Sequence, residues 1–175
     1  MNKSILEKLF SVLGAFEIPY VLIGGYAVAA WGSVRATKDV DFLAAIPYNI
    51  VNQVLDQLKS HGFTVEYRAA DISDPVMGVI KLEFQVGNEL ESVELLLGIK
   101  KMPDKIYLRA EKINILGLKI PVISPEDLIV LKLLAGSPLD ILDAKSVYRI
   151  VEERMDMAYL EKELKRCRLS FEAIE

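Results

Sequence analysis

Little in this sequence can serve redox or soft-metal chemistry. It has one cysteine, Cys167, and one histidine, His61, in 175 residues. A single thiol excludes an intrachain disulfide and a cysteine-rich zinc site, and it suits a reducing compartment. A single imidazole leaves little room for histidine-based metal sites or a Ser-His-Asp arrangement. Charge of one sign does not dominate either: 21 Lys and Arg face 25 Asp and Glu, a net charge of −4. That balance argues against a chain devoted to wrapping nucleic acid and leaves only a local basic patch open. A long apolar span is also missing. The uncharged run from Ile18 to Val34 has 17 residues and is broken by Pro19, Gly24 and Gly25, whereas a spanning helix needs roughly 20. The stretch before it mixes Lys3, Glu7, Lys8 and Glu17 and is no basic leader. The expectation is a soluble, cytoplasmic protein with no membrane partner.

What is present is a folding chain, 52% hydrophobic and 26% charged, of a length that suits one domain. Ile5, Leu6, Leu9, Phe10 and Leu13 recur at helical spacing and predict a helix over Ser4 to Ala15. Tyr20-Val21-Leu22-Ile23 predicts a buried strand ended by Gly24-Gly25, and a short helix follows from Tyr26 to Gly32. Asp39 to Leu43 alternates polar and apolar, the pattern of a strand with two distinct faces. A second amphipathic helix is predicted from Asn49 to Ser60. Strands follow at Phe63–Tyr67, Val79–Val86 and Ser92–Leu97, the last two joined by a Gly87-Asn88 turn. A small hairpin flanks Gly117. Ser124-Pro125-Glu126-Asp127 and Ser137-Pro138-Leu139-Asp140 each carry a capping serine, proline at the first helical position and an acid in the first turn. They start helices reaching Ala135 and about Val151, and a last helix spans Met157 to Cys167. The fold class is α+β: residues 1–123 form a mixed sheet with flanking helices, and 124–175 are helices packed on it as one structural unit.

Chemistry is concentrated in Gly24-Gly25 and, thirteen residues later, Asp39-Val40-Asp41. Two strand residues at i and i+2 share a face, so both carboxylates point the same way, ~7 Å apart at Cα. Such a pair is costly unless water or a cation compensates it. Oxygen donors without His or Cys select a hard cation, Mg²⁺ or Mn²⁺. A glycine pair between a strand and a helix lets phosphate approach backbone N–H groups. A phosphate cradle beside paired carboxylates describes phosphoryl or nucleotidyl transfer. The candidate third acid is Glu94, set among Val93, Leu95, Leu96 and Leu97; Glu83 and Glu91 stand in more polar surroundings and are read as outward.

With Arg35-Ala36-Thr37-Lys38 leading into Asp39-Val40-Asp41-Phe42, the sequence resembles the nucleotidyltransferase (polymerase β-like) superfamily over about residues 20–150. Within it, the sequence is most similar to the minimal, AbiEii-like toxin-type branch, which often adds a Ser-Pro-Glu-Asp-Leu helix with a lysine and then a helix bearing aspartates. Here these match Ser124 to Lys132, and Asp140 with Asp143. The resemblance implies a nucleotidyltransferase-like mixed β-sheet. It implies that Asp39 and Asp41 hold Mg²⁺ on the triphosphate of an NTP such as ATP. Glu94 would complete a two-metal site and favour deprotonation of an acceptor hydroxyl. Gly24 and Gly25 would face the β- and γ-phosphates, and Arg35, Thr37 and Lys132 would bind phosphates. The implied reaction moves NMP to a hydroxyl on RNA, protein or a small molecule. Two departures stand out: Gly25 replaces the serine of many relatives, and Glu94 replaces the more usual Asp. They motivate the alternative of a weak or inactive binding protein of the same fold, for example a toxin–antitoxin component.

Each candidate has a plainer reading. Asp39 and Asp41 as a solvated strand face, and Glu94 paired with a basic neighbour, are the competing views. Lys132 either reaches into the cleft or snorkels to solvent. Asp140 and Asp143 are read as helix-start and surface residues, His61 as a helix cap, and Tyr26 and Trp31 as core with a base pocket as the alternative. Cys167 is read as incidental, and the Lys162, Lys165, Arg166 and Arg168 cluster as a solvated helix face with contact to RNA or a partner as the alternative.

Overall fold

The computed structural model describes residues 2–33, 37 and 39–174. Its elements run α1 (Lys3–Ala15), β1 (Tyr20–Ile23), α2 (Gly24–Ala30), β2 (Val40–Ala44), α3 (Val51–Ser60), β3 (Thr64–Ala69), β4 (Gly78–Val86) and β5 (Glu89–Leu96). A 3₁₀ turn at Asp104–Tyr107, β6 (Glu111–Ile115), β7 (Leu118–Val122), α4 (Pro125–Ala135), α5 (Pro138–Val151) and α6 (Met157–Cys167) complete the order. The strands among the described residues make one mixed sheet in the order β3-β4-β5-β2-β1-β7-β6. This is the α+β architecture with helices alone filling the last third. No helix among the described residues is long and apolar enough to cross a membrane.

At the centre of the sheet, β1 pairs antiparallel with β2, and β2 pairs parallel with β5. Val40, Phe42 and Ala44 are buried, and Phe42 meets the rings of Phe10 from α1 and Tyr20 at 5.5 and 5.9 Å between centroids. By strand alternation, Asp41 and Leu43 then face away from α1. One aromatic packing contact thus fixes which side of the sheet is the polar side.

Several boundaries differ from the sequence expectation; β2 begins at Val40, so Asp39 stands ahead of the strand and not in it. The strand predicted from Ser92 begins at Glu89, because the tight Gly87-Asn88 connection pairs Val86 directly with Glu89 and carries the ladder to the hairpin tip. The glycine pair lies inside α2, which opens at Gly24 rather than at Tyr26. The predicted helix starts are as read: Ser124 Oγ and Ser137 Oγ accept from the amides of Asp127 and Asp140 at 3.2 and 3.1 Å. Gly136, in the left-handed conformation, closes α4. α4 packs against both α5 and α6.

Candidate active site

Gly24 and Asp41 meet at the end of β1. Ile23 is in register with Asp41 across the antiparallel pair, and the chain then turns at Gly24 with φ +66°. A Cβ on Gly24 would lie 2.0 Å from Asp41 Oδ2 and 2.9 Å from its Cγ. The carboxylate therefore fills the space a side chain would take, and glycine answers both the contact and the positive φ. Gly25 is buried beside it.

Glu94 is the residue directly opposite Asp41 on β5. Registered neighbours project to the same face, and strands lie about 4.8 Å apart, so the two acids are side by side. The row continues across the sheet through Lys81 and Glu66. Lys81 binds Glu83 at 2.9 Å. Its ammonium titrates above the ordinary range, chiefly through the hydrogen bond and charge of Glu83, with smaller help from Glu66 and Glu94. Glu94 thus sits in register with a basic neighbour that feels its charge but makes its ion pair with Glu83. Glu83, expected to point outward, is half-buried on the same face as Glu94. The reason is strand parity: Glu83 is two residues from Lys81.

Asp39 is exposed just ahead of β2. With Thr37, Tyr26, Glu91 and Ser92 it lines a cleft of about 560 Å³ beside the β4–β5 hairpin. Thr37 Oγ1 donates to the Asp39 carbonyl at 3.4 Å. Glu94 lines a separate, smaller groove with Glu66, Arg68, Val79 and Lys81. Among the described residues no three His, Cys, Asp or Glu side chains stand close enough to hold one metal together. The structure therefore joins Gly24, Asp41 and Glu94 and sets Asp39 with Thr37 at an adjoining mouth. Arg35 lies outside the described residues.

Lys132 is elsewhere engaged. Buried at 7% exposure, its ammonium lies 2.8 Å from both Asp140 Oδ1 and Asp143 Oδ2, so it does not snorkel. Asp143 is itself buried, which corrects its reading as a surface residue: α4 and α5 pack face to face and close over all three groups. The Asp140 carboxyl is raised by burial but more than offset by hydrogen bonds from Lys132 and Ser137, and it titrates below the ordinary range.

Sequence reasoning missed a second polar cluster. Asp127, fully buried, accepts from Tyr159 Oη at 2.7 Å and Ser124 Oγ at 3.0 Å. Arg109 donates to Glu126 at 2.9 Å and stacks 3.6 Å from the Tyr159 ring centre. Only the capping role of Ser124 and Asp127 was visible locally. Tyr26 is half-buried and is a wall shared by the acidic cleft and a neighbouring apolar one. Trp31 is core, its indole donating to the Ile123 carbonyl at 2.9 Å.

The mixed sheet thus carries a glycine pair directly after one central strand, β1, and acids side by side on β2 and β5, the next two strands in sheet order. The sequence model of the family described as "Nucleotidyl transferase of unknown function (DUF2204)" matches residues 2–172; the chain belongs to that family. Comparison with curated proteins gives no significant match. Among solved structures, the antibiotic-resistance factor ANT(2″)-Ia in solution is similar at TM-score 0.61 and 15% identity, covering 94% of this chain and 90% of its own. Its crystal structure with adenylyl-2″-tobramycin gives 0.56 and 16%, with 94% of each chain covered. The lincosamide antibiotic adenylyltransferase LnuA, bound to lincomycin, gives 0.52 and 16%, over 86% of this chain and 98% of that one. At such identities these likenesses show the fold.

Proposed function

We propose that the protein transfers a nucleoside monophosphate from an NTP to a hydroxyl acceptor at the Gly24–Asp41–Glu94 face. The observation that carries this is the seating of the Asp41 carboxylate against Gly24, with Glu94 in register beside it. Phosphate would approach the backbone amides that open α2, where neither glycine carries a side chain of its own. Thr37 adds a hydroxyl at the adjoining cleft, and Arg35 is the proposed further phosphate contact. Lys132 is tied to Asp140 and Asp143, so its part is to hold α4 and α5 rather than to bind phosphate directly.

Asp39, Asp41 and Glu94 offer oxygen donors only, the chemistry a hard divalent cation selects. The three do not stand close enough in this structure to hold one ion together, so Asp41 and Glu94, in register on β2 and β5, are the pair that would hold it. Mg²⁺ or Mn²⁺ bound there would neutralise triphosphate charge. Glu94 accepts the proton of the acceptor hydroxyl; that oxygen bonds to Pα, the Pα–O–Pβ bond breaks, and pyrophosphate leaves. The relatives of known structure carry lincomycin and adenylylated tobramycin, which supports a small-molecule hydroxyl as one acceptor class, beside RNA and protein. The helix from Ser124 with its Lys132–Asp140–Asp143 triad supports the AbiEii-like branch and hence a toxin–antitoxin setting in the cytoplasm.

The test is NTP binding by calorimetry with Mg²⁺, and transfer from labelled NTP to cell protein, tRNA and small hydroxyl compounds. Asp41→Asn should abolish Mg-dependent NTP binding while the fold survives; unchanged affinity would refute the reading. The replacement of a cradle serine by Gly25, and of the third Asp by Glu94, supports a second reading: a binding protein that retains NTP affinity without transfer. Labelled product in the same assay excludes it.

A further inference from the structure

A second cleft, sharing no residue with the nucleotide site, opens between the 3₁₀ turn at Asp104–Tyr107 and α6. It measures about 540 Å³, and its charged lining is Lys105, Arg109, Lys162, Glu163 and Arg166, with Tyr159 among its walls. Cations gathering in one cleft of a chain whose net charge is −4 are not explained by composition. Nor are they all consumed by internal pairing. The two guanidinium groups are held rigidly. Arg109 is fixed by Glu126 and the Tyr159 ring, and Arg166 by Glu163 at 2.5 Å and the Lys101 carbonyl at 2.5 Å. Lys105 and Lys162, by contrast, are exposed and among the described residues have no carboxylate partner.

Fixed guanidiniums cost little further ordering on binding an anion, and two uncompensated ammonium groups from different elements supply the charge. We propose that this cleft binds a phosphate group carrying two negative charges, a terminal phosphate or pyrophosphate. Lys105 and Lys162 make the charge-assisted contacts, and Arg109 and Arg166 frame them. A polycation is repelled from the same lining, so a polyamine ligand is excluded here. The terminal phosphate could belong to a free nucleotide or to the 5′ end of an RNA strand.

The experiment titrates the full chain with pyrophosphate by calorimetry in EDTA, where a metal-dependent NTP site is silent. Binding is expected in the unmodified protein, weaker by on the order of tenfold or more in Lys105→Glu/Lys162→Glu. Affinity is retained in Lys105→Arg/Lys162→Arg and in Asp41→Asn. Absence of binding, or an affinity unmoved by the charge reversal, overturns the proposal, as does loss of binding in Asp41→Asn. Because Asp41→Asn is judged separately by Mg-dependent NTP binding, failure of either assignment is read without the other. Competition with AMP and with 5′-phosphorylated and 5′-hydroxyl RNA then names the source. Both lysines are exposed, and unchanged thermal unfolding of the charge-reversed variant shows that the fold is kept.

Discussion

Asp41 occupies the volume that any side chain at residue 24 would need, its Oδ2 lying 2.0 Å from where a Gly24 Cβ would stand. The two positions are therefore one unit, and a double-mutant cycle should show it. Gly24→Ala is expected to destabilise the protein by about 1–3 kcal/mol through its positive φ and the contact and to lose NTP binding. In Gly24→Ala/Asp41→Ala the clash with the carboxylate is removed and only the Cβ approach at 3.1 Å remains, so urea unfolding should recover about 1 kcal/mol relative to additivity. Strict additivity would mean that the two do not touch.

Glu94 stands beside Asp41, while the lysine across the strand from it, Lys81, engages Glu83. If Glu94 accepts the acceptor's proton, Glu94→Gln should lower the transfer rate by about 10²–10⁴ with NTP affinity nearly unchanged. A parallel loss of affinity and rate would make it a binding residue instead. The rate of Glu94→Asp, compared with both, measures what the added methylene does.

Removing Lys132 leaves Asp143 and Asp140 without their shared cation. Lys132→Met should cost about 3–5 kcal/mol, the usual penalty for removing one partner of a buried ion pair, read by denaturant unfolding. The pH dependence has a definite sign. Burial alone would raise the Asp140 carboxyl, but the hydrogen bonds from Lys132 and Ser137 outweigh it and hold it below the ordinary aspartate range. Its stabilising contribution is thus full above the ordinary aspartate pKa and is lost as pH falls through the lower native value. Asp140→Asn should cost stability at neutral pH and progressively less under acid; a pH-independent difference would remove the ionic account.

Tyr159 donates to a carboxylate that has no access to water. Tyr159→Phe should destabilise by about 1–3 kcal/mol, since the acceptor left behind is buried. Burial and the neighbouring Asp127 push the phenol well above the tyrosine range, so in an alkaline absorbance titration it should stay protonated after the exposed tyrosines ionise. Ionisation together with them would show that the Asp127 contact is absent in solution.

Leu116 and Gly117 form the two-residue turn between β6 and β7, with φ of +54° and +77°. Both central residues of such a turn need positive φ, which an exposed leucine adopts at a cost. Leu116→Asn or Leu116→Gly should raise stability by about 1 kcal/mol, seen as a higher melting temperature.

Local chemistry made part of this protein legible before its fold was known. A glycine pair after an apolar strand, serine-proline helix starts, and a strand alternating Val40-Asp41-Phe42 carry their structure in adjacent residues, because caps, turns and alternation act over a few bonds. The same alternation placed Asp41 opposite the packed Phe42. What lay beyond reach was everything that depends on register between distant segments. Glu94 beside Asp41 requires β5 to run parallel to β2 at one particular offset. Lys132 between Asp140 and Asp143 requires two helices to close on each other, and local patterning left those aspartates at the surface. The basic cleft needs residues near 105 and near 162 to meet. Such long-range pairings are set by which apolar faces bury together, a choice made by the whole core and recorded in no short stretch of chain.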